Sequence, residues 1–155
     1  MSAPDALTGR CLCGAIAYRI AGPPRLVSHC HCSICRRWSG AAFLTWVTVL
    51  RERFALLRGE LAVFRSSDHG WRGFCAGCGT PLASGSSRYA RWIEVSAGSL
   101  DEPGSIAPER HVFWPDHLAW LRVEDGLPHH AGDARSPVES AGVESAGVGA
   151  AGGAR

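Results

Sequence analysis

Lysine is absent from this chain: all 16 basic residues are arginine. The bias reads as genomic composition, and its chemical corollary is that no ε-amine is available as a Schiff base or general base. Long apolar runs are absent too. No window of about 18 apolar residues occurs, so no membrane span is expected. Met1 to Arg10 carries Asp5 and no apolar run, so no signal peptide is read there, and a reducing, cytoplasmic setting is expected. Charge of one sign is scarce. The net charge is +2 and the arginines are scattered, which excludes a basic stripe of the kind that nucleic acid requires.

What is there suits one domain and a tail. The chain has 155 residues, 46% hydrophobic and 19% charged, an ordinary globular balance. A core of this size gains from metal cross-links. The domain is expected over residues 7–130. Residues 131–155 are rich in Gly, Ala, Ser and Val, and Val138-Glu139-Ser140-Ala141-Gly142 recurs as Val143-Glu144-Ser145-Ala146-Gly147. Nothing there is large enough to build a core, so it reads as a flexible tail.

Within the domain the hydrophobic period is nearer two than 3.6. Ala15 to Ile20 alternates and stops at Gly22-Pro23-Pro24, and Phe43 to Val49 is a β-branched and aromatic run. Ala62 to Arg65, Trp71 to Phe74 and Trp92 to Val95 read as further short strands, with His111 to Trp114 and Ala119 to Arg122 as two more. The pattern predicts an all-β domain. Only Ser33 to Trp38 reads as a helical turn, with Ser33 as its N-cap and Gly40 as its stop.

The seven cysteines fall into three groups: Cys11-x-Cys13, Cys30-x-Cys32-x2-Cys35 and Cys75-x2-Cys78-Gly79. An odd number excludes complete disulfide pairing within the chain, and in a reducing compartment clustered cysteines are metal ligands more often than disulfides. The Cys-x2-Cys-Gly knuckle grips one metal with two thiolates while Gly77 and Gly79 let backbone amides turn toward the sulfurs. Tetrahedral zinc takes four ligands. The triplet is compact enough to put three sulfurs on one ion, which leaves Cys11 and Cys13 as partners of Cys75 and Cys78. A four-cysteine zinc is closed and therefore structural. A three-cysteine zinc keeps one position for water, a substrate thiol or a carbonyl oxygen, and open sites are the catalytic kind. Two rival readings stand beside this one. The knuckle set are buried or redox-active thiols, or the triplet is a structural site completed by His29, His31, His69, His111 or His117. His29 and His31 neighbour ligands directly and are better placed to pack or hydrogen-bond beside the site.

Several spaced motifs, in order, are similar to one known family. They are Arg10-Cys11-Leu12-Cys13-Gly14, His29 to Arg37 with Ser39-Gly40, Arg65-Ser66-Ser67, Phe74-Cys75 through Leu82, Gly98 to Pro103 and Asp125 to Pro128. The chain resembles the glutathione-dependent formaldehyde-activating enzymes, a family that includes the centromere protein V type proteins. The resemblance implies a zinc-stapled β-sheet scaffold of the β-tent kind. It implies a structural zinc on Cys11, Cys13, Cys75 and Cys78 and a catalytic zinc on Cys30, Cys32 and Cys35. The implied activity is that of a carbon–sulfur lyase acting on S-(hydroxymethyl)glutathione, the adduct of glutathione and formaldehyde.

The chemistry suits such a site. A free thiol is mostly protonated at neutral pH, and only the thiolate attacks a carbonyl well. Zinc bound by three thiolates carries a charge of about −1 by addition, which blunts its Lewis acidity and favours thiol delivery over carbonyl polarisation. Glutathione has two carboxylates, which arginine forks would suit. Arg36 and Arg37 follow Cys35 directly and are the substrate-binding candidates, with Arg72 near the knuckle. Trp38 and Trp46 line a pocket or fill the core, and His111 is a weaker candidate for a place near the site. The alternative is a non-catalytic module with both zincs structural, recruiting a protein partner. A third reading is zinc storage or redox sensing.

Overall fold

A computed structural model describes residues 6–133. Among these residues the short alternating segments form ten strands: β1 Ala6–Arg10, β2 Ala17–Ala21, β3 Leu26–Cys30, β4 Leu44–Leu50, β5 Phe54–Arg58, β6 Ala62–Arg65, β7 Gly70–Phe74, β8 Pro81–Ser86, β9 Trp92–Ser96 and β10 Arg110–Val112. The α-helix is α1, Ser33–Ser39. A smaller sheet has the order β1-β2-β5, and a larger one runs β10-β3-β4-β9-β8-β7-β6. The pairings are antiparallel except for β10, which lies parallel to β3. The mainly β architecture expected from the period-two pattern is the one observed.

Strand register gives the larger sheet two chemically distinct faces. Val27, Val47, Val49, Ala83, Ile93 and Val95 are buried and join Leu7, Tyr18 and Ile20 of the smaller sheet in one core cluster. Those residues are cross-strand partners (Val27 with Val47, Val47 with Val95, Val95 with Ala83), so one face is continuously apolar. The opposite parity carries a polar row in register across four strands, Thr48, Glu94, Ser84 and Arg72, with Leu26 beside Thr48 on a fifth. Because side chains alternate along a strand, burying the valines forces this row onto the other face. The candidate site is built on that face.

Gly9 shows how tightly the smaller sheet packs. A Cβ there would lie 2.2 Å from the Tyr18 hydroxyl oxygen, so the phenol crosses the strand where glycine leaves room. The hydroxyl is 2.7 Å from Ser99 Oγ, and Ser99 in turn donates to the Ser96 carbonyl at 2.7 Å.

Three expectations change. Ser33 is the first residue of α1, and the N-cap is Cys32, whose sulfur accepts the Cys35 amide at 3.4 Å; Gly40 ends the helix in the left-handed region as expected. Ala119 to Arg122 is not a strand. Trp120 is 71% exposed and Leu121 turns back to the Leu118 carbonyl at 2.8 Å, so the segment has no sheet partner to pair with. The run His111 to Trp114 is extended only through Val112, because Phe113 takes a left-handed φ of 54° and a 3-10 turn follows. The flexible tail read at 131–155 falls, from residue 134 onward, outside the described residues. Among the described residues, no helix is long and apolar enough to cross a membrane.

Candidate metal centres

Cys11 and Cys13 lie in the turn after β1, and Cys75 and Cys78 in the turn after β7. The fold brings the two turns together so that all four sulfurs lie within 4.8 Å of one another. Cys11 Sγ is 3.5 Å from Cys13 Sγ, and Cys13 Sγ is 3.7 Å from Cys75 Sγ. A tetrahedral ion with arms of about 2.3 Å spaces its sulfurs about 3.8 Å apart, whereas a disulfide needs about 2.05 Å. The donor set therefore fits a closed four-thiolate centre, and the described cysteines are all free thiols. Backbone and hydroxyl donors are aimed at it. Ile16 N–H reaches Cys11 Sγ at 3.2 Å. Thr80 Oγ1 accepts the Leu12 amide at 3.0 Å, which leaves its own proton for Cys78 Sγ at 3.1 Å. Gly79, at φ +74°, closes the knuckle by donating to the Cys75 carbonyl at 2.8 Å.

The second group forms at the junction of β3 and α1. Cys30 ends the strand, Cys32 caps the helix, and Cys35 lies one turn later, where the helical path folds it back over Cys32. The three sulfurs lie within 4.8 Å of one another. Cys35 is buried and accepts the indole Nε1–H of Trp46 at 3.4 Å. Held this close without a cation, the thiols do not ionise alike. Cys32 drops to about 2, because Cys30 and Cys35 donate to its sulfur, with help from the Cys35 amide and the charge of Arg72. Cys30 is pushed up by those same contacts with Cys32 and Cys35 and by burial. Cys35 rises to about 11; the Cys30 thiol pulls it down, but the charge on Cys32 and its own burial outweigh that. Thiolates held this close repel one another, so a cation among them would favour ionisation of all three.

Among the described residues, no histidine joins either sulfur group. His31 instead starts a chain that runs from the interior to the exposed Asp125: its Nε2 is 2.8 Å from His111 Nδ1, and His111 Nε2 is 3.0 Å from Asp125 Oδ2. Burial, then the neighbouring imidazoles, lower His31 to about 4, so it is neutral at pH 7. His29 Nδ1 is 2.8 Å from Thr45 Oγ1, and His117 Nδ1 is 2.8 Å from the Trp114 carbonyl. His69 lines the same cleft as the three cysteines without joining their group, and its Nδ1 is 3.4 Å from Ser87 Oγ. The packing role read for His29 and His31 is the one observed. Asp125, within the Asp125 to Pro128 motif, ends the chain that His31 starts, a role that only the fold reveals.

The two centres differ in what lies in front of them. Cys30, Cys32 and Cys35 line a cleft of about 410 Å³, together with Trp46, Thr48, Arg72, Ser84, Arg88 and Glu94. Cys11 and Cys13 border a more open depression of about 550 Å³ beside Leu12, Gly98 and Asp101, which Cys75 and Cys78 do not line. Arg36 and Arg37 are not among the residues lining the cleft; Arg36 Nε instead donates to the His31 carbonyl at 3.1 Å, bracing the ligand loop. The cleft's arginines are Arg25, Arg72 and Arg88. Trp46 is both core and cleft wall, stacked at 5.9 Å on Trp38.

A small, mostly β-sheet protein with two cysteine groups able to hold metal ions is the class these features define. The sequence matches the family described as glutathione-dependent formaldehyde-activating enzyme over residues 6–116, and the chain belongs to that family. A Halomonas elongata protein named "Putative glutathione-dependent formaldehyde-activating enzyme" is 28% identical over 129 residues, 76% of this chain and 81% of that one. An uncharacterized lyase of Schizosaccharomyces pombe is 35% identical over 75 residues, 48% of this chain and 53% of the yeast protein. The crystal structure of a Rhodobacter sphaeroides protein superposes with a TM-score of 0.51 at 19% identity, over 79% of this chain and 98% of that one, a likeness of fold.

Proposed function

We propose that this chain is a zinc-dependent enzyme of the carbon–sulfur lyase type that acts on the adduct of a thiol with an aldehyde, such as S-(hydroxymethyl)glutathione. Cys30, Cys32 and Cys35 hold the catalytic zinc, and Cys11, Cys13, Cys75 and Cys78 hold a structural one. The observation that carries this reading is the contrast between the groups: the set of three lines a cleft and is one ligand short of a tetrahedron, and the set of four is complete in itself. Zinc bound by the three cysteines would hold an incoming thiol and lower its pKa.

The chain's own residues do the rest. Trp46 N–H and the Cys35 amide offset charge on Cys35 and Cys32. The cleft arginines Arg25 and Arg88 supply cations for the carboxylates of a peptide thiol. The walls confine thiol and aldehyde together, which supplies a proximity effect. X-ray absorption on the zinc-loaded protein tests the reading. Seven protein sulfurs over two zincs average about 3.5 per zinc, and a thiol at the open position raises that to about 4. An average that glutathione leaves unmoved sinks the thiol-delivery mechanism.

A further inference from the structure

Arg72 stands out among the cleft residues. It closes the polar row on the site face of the sheet, paired in register with Ser84 on β8. Its guanidinium donates through Nη1 to Ser84 Oγ, itself buried. The guanidinium carbon lies 5.8 Å from the ring centre of Trp38 and 5.8 Å from that of Trp46. Trp38 belongs to α1, the helix that carries Cys35, and Trp46 donates to the Cys35 sulfur. The cation is thus packed on the metal-ligand side of the cleft, which it lines together with Cys30, Cys32 and Cys35. Its Nε is buried and has no hydrogen-bond partner among the described residues. Because Arg72 lines the cleft with the three cysteines, the part of the fixed guanidinium presented there is the cation that an incoming acceptor meets.

We propose that Arg72, fixed by Ser84 and the Trp38–Trp46 pair, forms an oxyanion subsite that receives the carbonyl oxygen of a small aldehyde beside Cys30, Cys32 and Cys35. The inference rests on the lyase reading above and adds the residue that takes the developing charge. In the forward step a sulfur lone pair forms the C–S bond, the C=O π pair moves onto oxygen, and Arg72 donates to that oxygen. The proton lost by the thiol reaches the oxygen through solvent, giving the hydroxyl of the adduct. The lyase direction reverses each movement. Donors preorganised where negative charge develops act on the transition state more than on the substrate.

Formate is the probe: it is planar, has one carbon, and presents negative oxygens. Carbon-13 NMR titration of the zinc-loaded protein should show saturable formate binding in the wild type. Binding should weaken at least about tenfold in Arg72→Met and less in Arg72→Lys, with two zincs per chain throughout. Equal binding in wild type and Arg72→Met, or no saturable binding in the wild type, overturns the proposal. If Arg72→Met does not retain zinc, Ser84→Ala takes its place: it frees the guanidinium and should weaken formate binding several-fold, and unchanged binding again overturns the subsite. In the kinetic arm, Arg72→Met should lower kcat for adduct formation about 10²–10³-fold with little change in KM for the thiol. A raised KM at unchanged kcat makes Arg72 a carboxylate anchor and refutes the oxyanion role. A wild-type rate at background with Arg72-dependent formate binding intact removes the lyase reading and leaves the subsite standing.

Discussion

Trp46→Phe should weaken zinc at the three-cysteine centre and leave the four-cysteine centre untouched. Trp46 is buried, and its indole N–H is the donor to Cys35 Sγ, at 3.4 Å. Phenylalanine keeps most of the ring, so the main loss is that hydrogen bond. A bond to a charged acceptor contributes about 1.5–3 kcal/mol, and about 1.4 kcal/mol is tenfold in an equilibrium constant. The expected loss is therefore about 10–100-fold in zinc affinity, the range usual for groups that support a metal ligand from behind. Competition with a chromophoric chelator reads the two zincs separately. The four-cysteine step supplies an internal control, because no atom of Trp46 approaches it in the hydrogen-bond pattern. Wild-type release curves for both zincs in Trp46→Phe would refute the reasoning, and loss of both zincs would show that the change had damaged the fold.

Other outcomes follow from the same geometry. Burial, followed by the nearby Asp101 charge, outweighs the Ser99 hydrogen bond and pushes the Tyr18 phenol up to about 12. The neutral phenol's contribution is whole below pH 10, the unfolded value, and is lost as pH climbs from 10 to about 12. Urea melts across that window should show wild-type stability falling by up to about 2–3 kcal/mol relative to Tyr18→Phe, and parallel curves would contradict the burial argument. Cys75→Ser opens the staple between the β1–β2 and β7–β8 turns, so it should lower Tm by roughly 10 °C or more, well beyond Cys32→Ser; differential scanning calorimetry decides. Gly9→Ala should cost about 1–3 kcal/mol or more, since its Cβ meets Tyr18 at 2.2 Å and the Ser99 carbonyl at 2.5 Å; denaturant titration that finds under about 1 kcal/mol rejects that packing.

Much of the site was legible because cysteine spacing is local. The pairs at Cys11 and Cys75 and the triplet at Cys30 each place their sulfurs through a few backbone bonds, so counting ligands was enough to foresee which residues gather. Aromatic and β-branched strands such as β4 and β9 were equally readable. By contrast β8, Pro81–Ser86, is made of proline, small residues and serines, and it is a strand only because β7 and β9 flank it. The edge strands β1 and β5 likewise depend on β2 for their pairing. The cleft arginines were harder to read for the same reason. Arg36 and Arg37 are close to Cys35 in sequence, while Arg72 reaches the cysteines through strand register and two tryptophans that neighbouring residues do not reveal. The turn at Leu118 to Leu121 misled because an apolar pair without a sheet partner has the composition of a strand.

The central claim is that the Cys30, Cys32 and Cys35 centre joins a thiol to an aldehyde, and exchange NMR tests it most directly. Interconversion of glutathione and formaldehyde with S-(hydroxymethyl)glutathione would be followed with wild type, with Cys32→Ser and without protein. The account predicts a wild-type rate above the uncatalysed one that disappears in Cys32→Ser. A wild-type rate equal to background would contradict it for this thiol and aldehyde and leave a protein whose cysteine groups can hold metal and whose cleft serves another substrate or a partner.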